Sequence, residues 1–173
     1  MIRFDVKLFT IGDATILRLP EDESLKLPSR GQVMVKGTIN GSDFQSVLEP
    51  DGMWSHWVKV DKALQKTIGI KAGDTVTLEI EPTKDWPEPY VPKDLQKELN
   101  AHPQAKAMWA KITPMARWDW IRWINGTANA NTRRRRIEAS MSKMESGERR
   151  PCCFNRSMCT DPSVSKNGRL LIP

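Results

Sequence analysis

The hydrophobic period of this chain changes once, and that change restricts its architecture more than any motif it carries. Ile2, Phe4, Val6 and Leu8 alternate with Arg3, Asp5 and Lys7. Val76, Leu78 and Ile80 alternate in the same way with Thr75, Thr77, Glu79 and Glu81. A period of two places all apolar residues on one face of a strand. After the proline-rich connector "EPTKDWPEPYVP" the spacing becomes helical and stays so to Gly147. One β module followed by one α module is therefore expected.

Between the two clear strands lie shorter candidates near 14–19, 33–39, 43–48 and 53–60, separated by turn chemistry such as "NGSD" and "PDGM". A single helical interruption is read at "DKALQKTIG", where Asp61 can cap the first turn and Gly69 can end it in the left-handed conformation. About six short strands with one short helix read as a small closed or nearly closed barrel. In the back half, helices are expected near 92–100, 103–111, 113–126 and 131–147. The first starts with Pro92, the third with a Thr113 cap and an N1 proline at Pro114, and the fourth with Asn131-Thr132.

The segments "VKGTINGSDFQSVLEPDG" and "VKVDKALQKTIGIKAGDTVTLEIEP" resemble a small bacterial and archaeal barrel domain of unknown function. Its fold is related to the double-split barrel of AbrB-type regulators. The back half, through "PKDLQKELNAHPQAKAMWAKITPMARWDWIRWI" and "NTRRRRIEASMSKMESGERRPCC", resembles the helical YdeI or OmpD-associated family, labelled bacteriocin protection. These resemblances imply an α+β protein: a small AbrB-like, double-split β-barrel followed by an α-helical domain of three to four helices. They also imply a role in stress or antimicrobial protection, and they bring no catalytic residue. The expected divisions are a barrel at 1–84, a linker at 85–91, a helical domain at 92–150 and a cysteine-bearing tail at 151–173 that packs back on one of the two.

Charge follows the same division. Residues 1–89 hold 11 Lys and Arg against 14 Asp and Glu, whereas residues 90–150 hold 13 against 6. The most concentrated cations are Arg133, Arg134, Arg135 and Arg136, with Arg149 and Arg150 beyond the helix end. On a helical wheel Ile137, Met141 and Met144 form one apolar stripe. Arg133 and Arg134 flank that stripe, Arg136 lies to the side and Arg135 points away, so the run is not one flat patch. Cations in a first helical turn oppose the helix dipole, at about 0.3–1 kcal/mol each when exposed. Such a placement calls for anions nearby. They are supplied either by the acidic front half or by an external protein or nucleic acid.

"MARWDWIRWI" is apolar around most of its circumference, so its helix is expected at the centre of the helical core. The functional alternative is an exposed Trp118 that stacks a ligand beside Arg117 or Arg122. Cys152, Cys153 and Cys159 lack zinc spacing, and His56 and His102 lie in distant segments, so neither a metal nor a cofactor is expected. Three thiols, two of them adjacent, are also no secreted disulfide framework. His56 alternates with Trp54, Val58 and Val60, which reads as a hydrogen-bonded residue of the barrel rim; the alternative is a ligand pocket in the barrel mouth beside it. GxSxG, phosphate-loop, Rossmann-glycine and metalloprotease signatures are absent.

The reading is a non-enzymatic binding or stress-protection protein that recognises a partner through its cationic helical face. The alternatives are a nucleic-acid binder using the arginine run, and an enzyme or small-ligand protein with its pocket near Trp54 and His56. A first segment that reads as a strand is no signal peptide, and no stretch reaches the roughly 20 apolar residues of a membrane span. A cytoplasmic monomer is expected.

Overall fold

The computed structural model describes residues 1–151 and 156–173 and divides the chain into two compact units. The first unit comprises Met1–Asp85 together with Arg156–Pro173, and the second comprises Trp86–Asn155. The first is a curled, half-barrel antiparallel sheet, and the second is helical, so the protein is α+β.

The sheet contains β1 (Ile2–Lys7), β2 (Phe9–Ile11), β3 (Ala14–Arg18), β4 (Val33–Ile39), β5 (Ser42–Pro50), β6 (His56–Lys59) and β7 (Thr75–Pro82). Their spatial order is β1-β7-β4-β5-β6-β3-β2. The expected first strand is thus two strands that lie at opposite edges of the sheet, with Leu8 alone between them. Leu8 still pairs with the entry to β7, donating to the Asp74 carbonyl at 2.9 Å, while Phe9 already pairs with Ile16 of β3. A chain can step from one edge to the other in one residue only if the sheet curls back on itself. Leu8, Leu17, Leu19, Val35, Ile39, Leu48, Leu78 and Ile80 fill the concave side. β4 and β7 approach closely at Gly37, where a Cβ would overlap the Glu79 carbonyl.

Two helices interrupt the strands, where one was expected. The additional one, α1 (Glu21–Ser24), is a single turn that no apolar period announces. α2 (Lys62–Ile68) is capped by Asp61, whose carboxylate accepts from the Ala63 N–H, and ends at Gly69 with φ of 70°. The strand candidate at 53–60 shortens to His56–Lys59, because Asp51 accepts from the Met53 and Ser55 N–H groups and folds that stretch into a turn.

The helical unit contains α3 (Lys93–Ala101), α4 (Pro103–Lys111), α5 (Pro114–Asn125) and α6 (Ala130–Glu145). Thr113 caps α5 at Ala116. α6 starts earlier than the sequence indicated, because Asn129, not Asn131, caps it through the Thr132 N–H. Leu95, Leu99, Ala105, Trp120, Ile121, Ile124, Ile137, Met141 and Met144 form the core.

The tail returns to the first unit as a 3-10 turn (Arg156–Cys159) and a hairpin of β8 (Ser165–Lys166) and β9 (Arg169–Leu170). Val164 and Leu170 cover Ile11, Ile16 and Trp57 on the outer side of the sheet. Among the described residues no helix is long and apolar enough to cross a membrane.

Candidate functional site

The four arginines of α6 are sorted by helical period, and the structure gives each pair a different task. Ile137, Ser140, Met141 and Met144 are the buried stripe of this helix. Arg133 and Arg136 lie on the side of that stripe and are half-buried, while Arg134 and Arg135 are exposed. Arg134 therefore does not flank the core, as the wheel implied. Its side chain projects outward with Glu138.

Arg133 ties three helices together. Its Nε donates to Asp94 Oδ2 at 2.7 Å and its Nη2 to Asp94 Oδ1 at 3.1 Å, the fork geometry that suits a carboxylate. Nη1 reaches Asn125 Oδ1 at 2.7 Å. The Arg133 hydrogen bond holds the Asp94 carboxyl below its ordinary range, and Asp94 in turn raises Arg133. The anion that offsets this arginine thus comes from α3 of its own unit, where an acidic barrel residue had been considered. Arg136 donates to the Trp123 carbonyl at 2.6 Å and lies 5.6 Å from the centroid of that indole. Lys143 lies 6.0 Å from the same ring. Two cations over one half-buried ring pin the surface of α5 to α6.

Arg134, Arg135 and Arg149 have no carboxylate partner among the described residues. Arg134 has no hydrogen bond or ion pair there, and Arg135 has only a 3.5 Å contact from Nε to the Asn131 carbonyl. Arg149 offers its carbonyl to Trp120 Nε1 at 2.9 Å while its guanidinium stays exposed and unpaired within the described set. Arg150 binds Asp119 at 2.9 Å. Because α6 begins at Ala130, Arg134 and Arg135 stand in its second turn, beyond the first-turn positions that the sequence suggested, exposed and without an ion pair among the described residues.

Trp118 is committed to the connector. Its Nε1 donates to the Pro87 carbonyl at 2.8 Å, and its ring meets Trp86 edge-on at 6.4 Å. Arg117 is held by Glu88 and by the carbonyls of Trp109 and Ala110.

In the first unit the alternation that paired Trp54 with His56 fails. Trp54 lies in the turn before β6 with φ of 75° and is 77% exposed, whereas His56 is 0% exposed. His56 is an interior residue and not a rim one. Its Nδ1 lies 2.7 Å from Ser24 Oγ and its Nε2 lies 2.8 Å from the Gly31 carbonyl. A carbonyl only accepts, so Nε2 carries the proton and Nδ1 accepts from the serine hydroxyl. Burial pushes the His56 pKa below its ordinary 6.5, and the nearby Arg30 charge acts in the same direction.

This gives a signed expectation. Above about pH 6.5 the ring is neutral folded and unfolded, and the pair with Ser24 contributes fully. As pH falls below that value the unfolded chain takes the proton first, so stability declines until the folded ring also titrates. Denaturation midpoints between pH 7.5 and 5 should show this slope, and His56→Gln should flatten it. A slope unchanged by the substitution would assign it to other groups.

An open cleft of about 570 Å³ lies elsewhere on this unit, lined by Ile11, Asp13, Thr15, Lys59, Asp61 and Ser163 among others. Neither Trp54 nor His56 lines it. Lys59 is engaged by Asp161 at 2.6 Å. Burial raises the Asp161 carboxyl, but hydrogen bonds from Lys59 and Ser163 outweigh it and hold that carboxyl low. Among the described residues no histidine or cysteine lines the cleft. Its three walls come from segments far apart in the chain, which no local pattern joins.

Cys159 is buried in the tail, and Cys152 and Cys153 lie outside the described residues. Among the described residues no group of three or more His, Cys, Asp or Glu could hold a metal.

Comparison with known families divides the chain near the same place. Residues 4–80 match a domain of unknown function, DUF1905. Residues 88–147 match the family described as "Bacteriocin-protection, YdeI or OmpD-Associated". No curated protein matches the chain.

Proposed function

We propose that this chain, which carries a DUF1905 domain followed by a YdeI/OmpD-associated domain, is a non-enzymatic binding protein that takes an anionic partner on the outer face of α6. One observation carries the reading: the arginine run is split. Arg133 and Arg136 are used up holding α3, α5 and α6 together, whereas Arg134, Arg135 and Arg149 are left exposed and without an ion pair among the described residues. Internal electrostatics account for the first pair and not for the second. A partner carrying carboxylates or phosphates would supply the anions that these exposed guanidinium groups lack. A protective role of the kind named in the family description is compatible with such capture.

The test is fluorescence anisotropy with labelled single-stranded DNA, RNA and polyglutamate at about 50 and 200 mM salt, the range over which phosphate contacts weaken strongly. Wild type is expected to bind at least one of these with salt-sensitive affinity. Arg134→Ala with Arg135→Ala should leave the fold intact and reduce the log–log salt slope by about two, about one for each lost contact. Preference for nucleic acid would favour a phosphate backbone as partner, and preference for polyglutamate an acidic protein. Absence of binding to all three would end the proposal.

A further inference from the structure

The turn Asp51–Ser55 displays Trp54 in a way that the fold does not need. Asp51 is fully buried. Its Oδ1 accepts from the Met53 N–H at 2.7 Å and the Ser55 N–H at 2.9 Å, and its Oδ2 from Arg18 Nε at 2.7 Å. The Asp51 N–H donates to the Ser55 carbonyl at 3.0 Å, and the Asp51 carbonyl accepts from Leu170 at 3.0 Å. The turn is therefore held from both sides and within itself. Inside it Trp54 adopts φ of 75°, a region that disfavours a large side chain, while its indole stays 77% exposed. Glycine would sit there without strain. A bulky residue held rigidly in an unfavourable conformation and contributing little burial is the pattern of a contact residue.

Arg30 adds the second half of the surface. Nη1 donates to the Trp54 carbonyl at 3.2 Å and to Ser24 Oγ at 3.1 Å, and Nη2 donates to the Ser24 and Leu27 carbonyls. Every one of these acceptors is neutral. The nearby carboxylate of Glu23 is taken by Lys26 at 2.7 Å. Arg30 is exposed and has no ion pair among the described residues. Leu25, which follows the Ser24 held by Arg30, is 64% exposed. An unneutralised guanidinium bonded to the backbone carbonyls of Trp54 and Ser24 sets arginine beside tryptophan, two residue types enriched at the centres of protein interfaces.

We propose that Trp54, Arg30 and Leu25 form a second docking surface, on the sheet unit, for a protein segment that pairs an apolar side chain with a carboxylate. The indole and the leucine bury the apolar side chain, and Arg30, whose Nη groups are already engaged, takes the carboxylate through its Nε and its charge. This proposal does not rest on the one made for α6.

The test is selection of a phage-displayed random dodecapeptide library on the full chain, with the enriched peptides then synthesised and measured by anisotropy. Enriched peptides should carry an aromatic or aliphatic residue next to Asp or Glu. Trp54→Gly should weaken them about thirtyfold, as expected for a central interface aromatic. The same variant should stay folded and melt close to the wild-type temperature, because relief of the left-handed backbone offsets the freedom that glycine gives the unfolded chain. Arg134→Ala with Arg135→Ala should bind the peptides as wild type does, which separates this surface from the one proposed for α6. The inference is overturned by no enrichment, by enriched peptides without acidic residues, by peptides that bind Trp54→Gly equally well, or by labelled oligothymidine that competes for Trp54 where acidic peptides do not.

Discussion

Asp51→Ala is expected to destabilise the sheet unit by about 3–5 kcal/mol, the range for removing one partner of a buried charge pair. The magnitude follows from what the carboxylate serves. It is fully buried and accepts from Arg18 Nε and from two backbone N–H groups. Alanine leaves Arg18, whose side chain is only 21% exposed, with Glu21 at 3.7 Å as its remaining anion, and it leaves the Met53 and Ser55 donors without the Asp51 acceptor. The buried Ser55 donor accounts for about 1–3 kcal/mol of that total, and solvent and Glu21 reaching Arg18 limit the rest. Asp51→Asn keeps an oxygen for the two N–H groups and loses the charge, so it should fall between wild type and alanine. Urea denaturation followed by circular dichroism reads both. A loss below about 1 kcal/mol for alanine would mean that Arg18 relaxes into solvent and the turn holds itself.

Trp120→Ala should cost the helical unit a similar amount, about 3–5 kcal/mol, through the cavity left by an indole. Trp120 is 0% exposed, packs with Leu95, Leu99, Ile137 and Met141 in one cluster, and donates its Nε1 proton to the Arg149 carbonyl. Trp120→Phe retains most of the apolar contact and gives up the hydrogen bond, so its cost should be nearer 1–2 kcal/mol. Loss of helical signal at a lower denaturant midpoint checks both variants. Equal effects of alanine and phenylalanine would show that the hydrogen bond, and not the packing, dominates at this position.

These positions differ in how they could be recognised. Trp120 stands in a run, "MARWDWIRWI", whose nearly all-round apolarity already placed its helix at a core. Asp51 has no such signature. In the sequence it belongs to a turn dipeptide, Asp51-Gly52, and its carboxylate acquires its role only when β3 brings Arg18 beside it.

The same contrast runs through the candidate surfaces. The helical wheel predicted that the arginine run would be divided, but it assigned Arg134 to the inner side and left open where the anions were. The structure turns Arg134 outward and supplies Asp94 to Arg133. Strict alternation put Trp54 and His56 on one face. The Asp51 turn interrupts the extended backbone between them, so one indole points to water and the imidazole enters the interior.

What the sequence by itself determined is local: the change of period from two to 3.6, the Asp61 and Thr113 caps, the Gly69 stop, and with them the α+β order of elements. Those features are written in residues a few positions apart, because backbone hydrogen bonding and side-chain direction repeat over one turn or one pleat. Only the tertiary structure decided that the sheet curls at Leu8, that the tail returns to the first unit, that His56 is satisfied by Ser24 and Gly31, and which arginines remain exposed. Each of those depends on contacts between residues tens of positions apart. Whether such a contact forms depends on burial and on competing partners across the whole unit, which no short window of sequence contains.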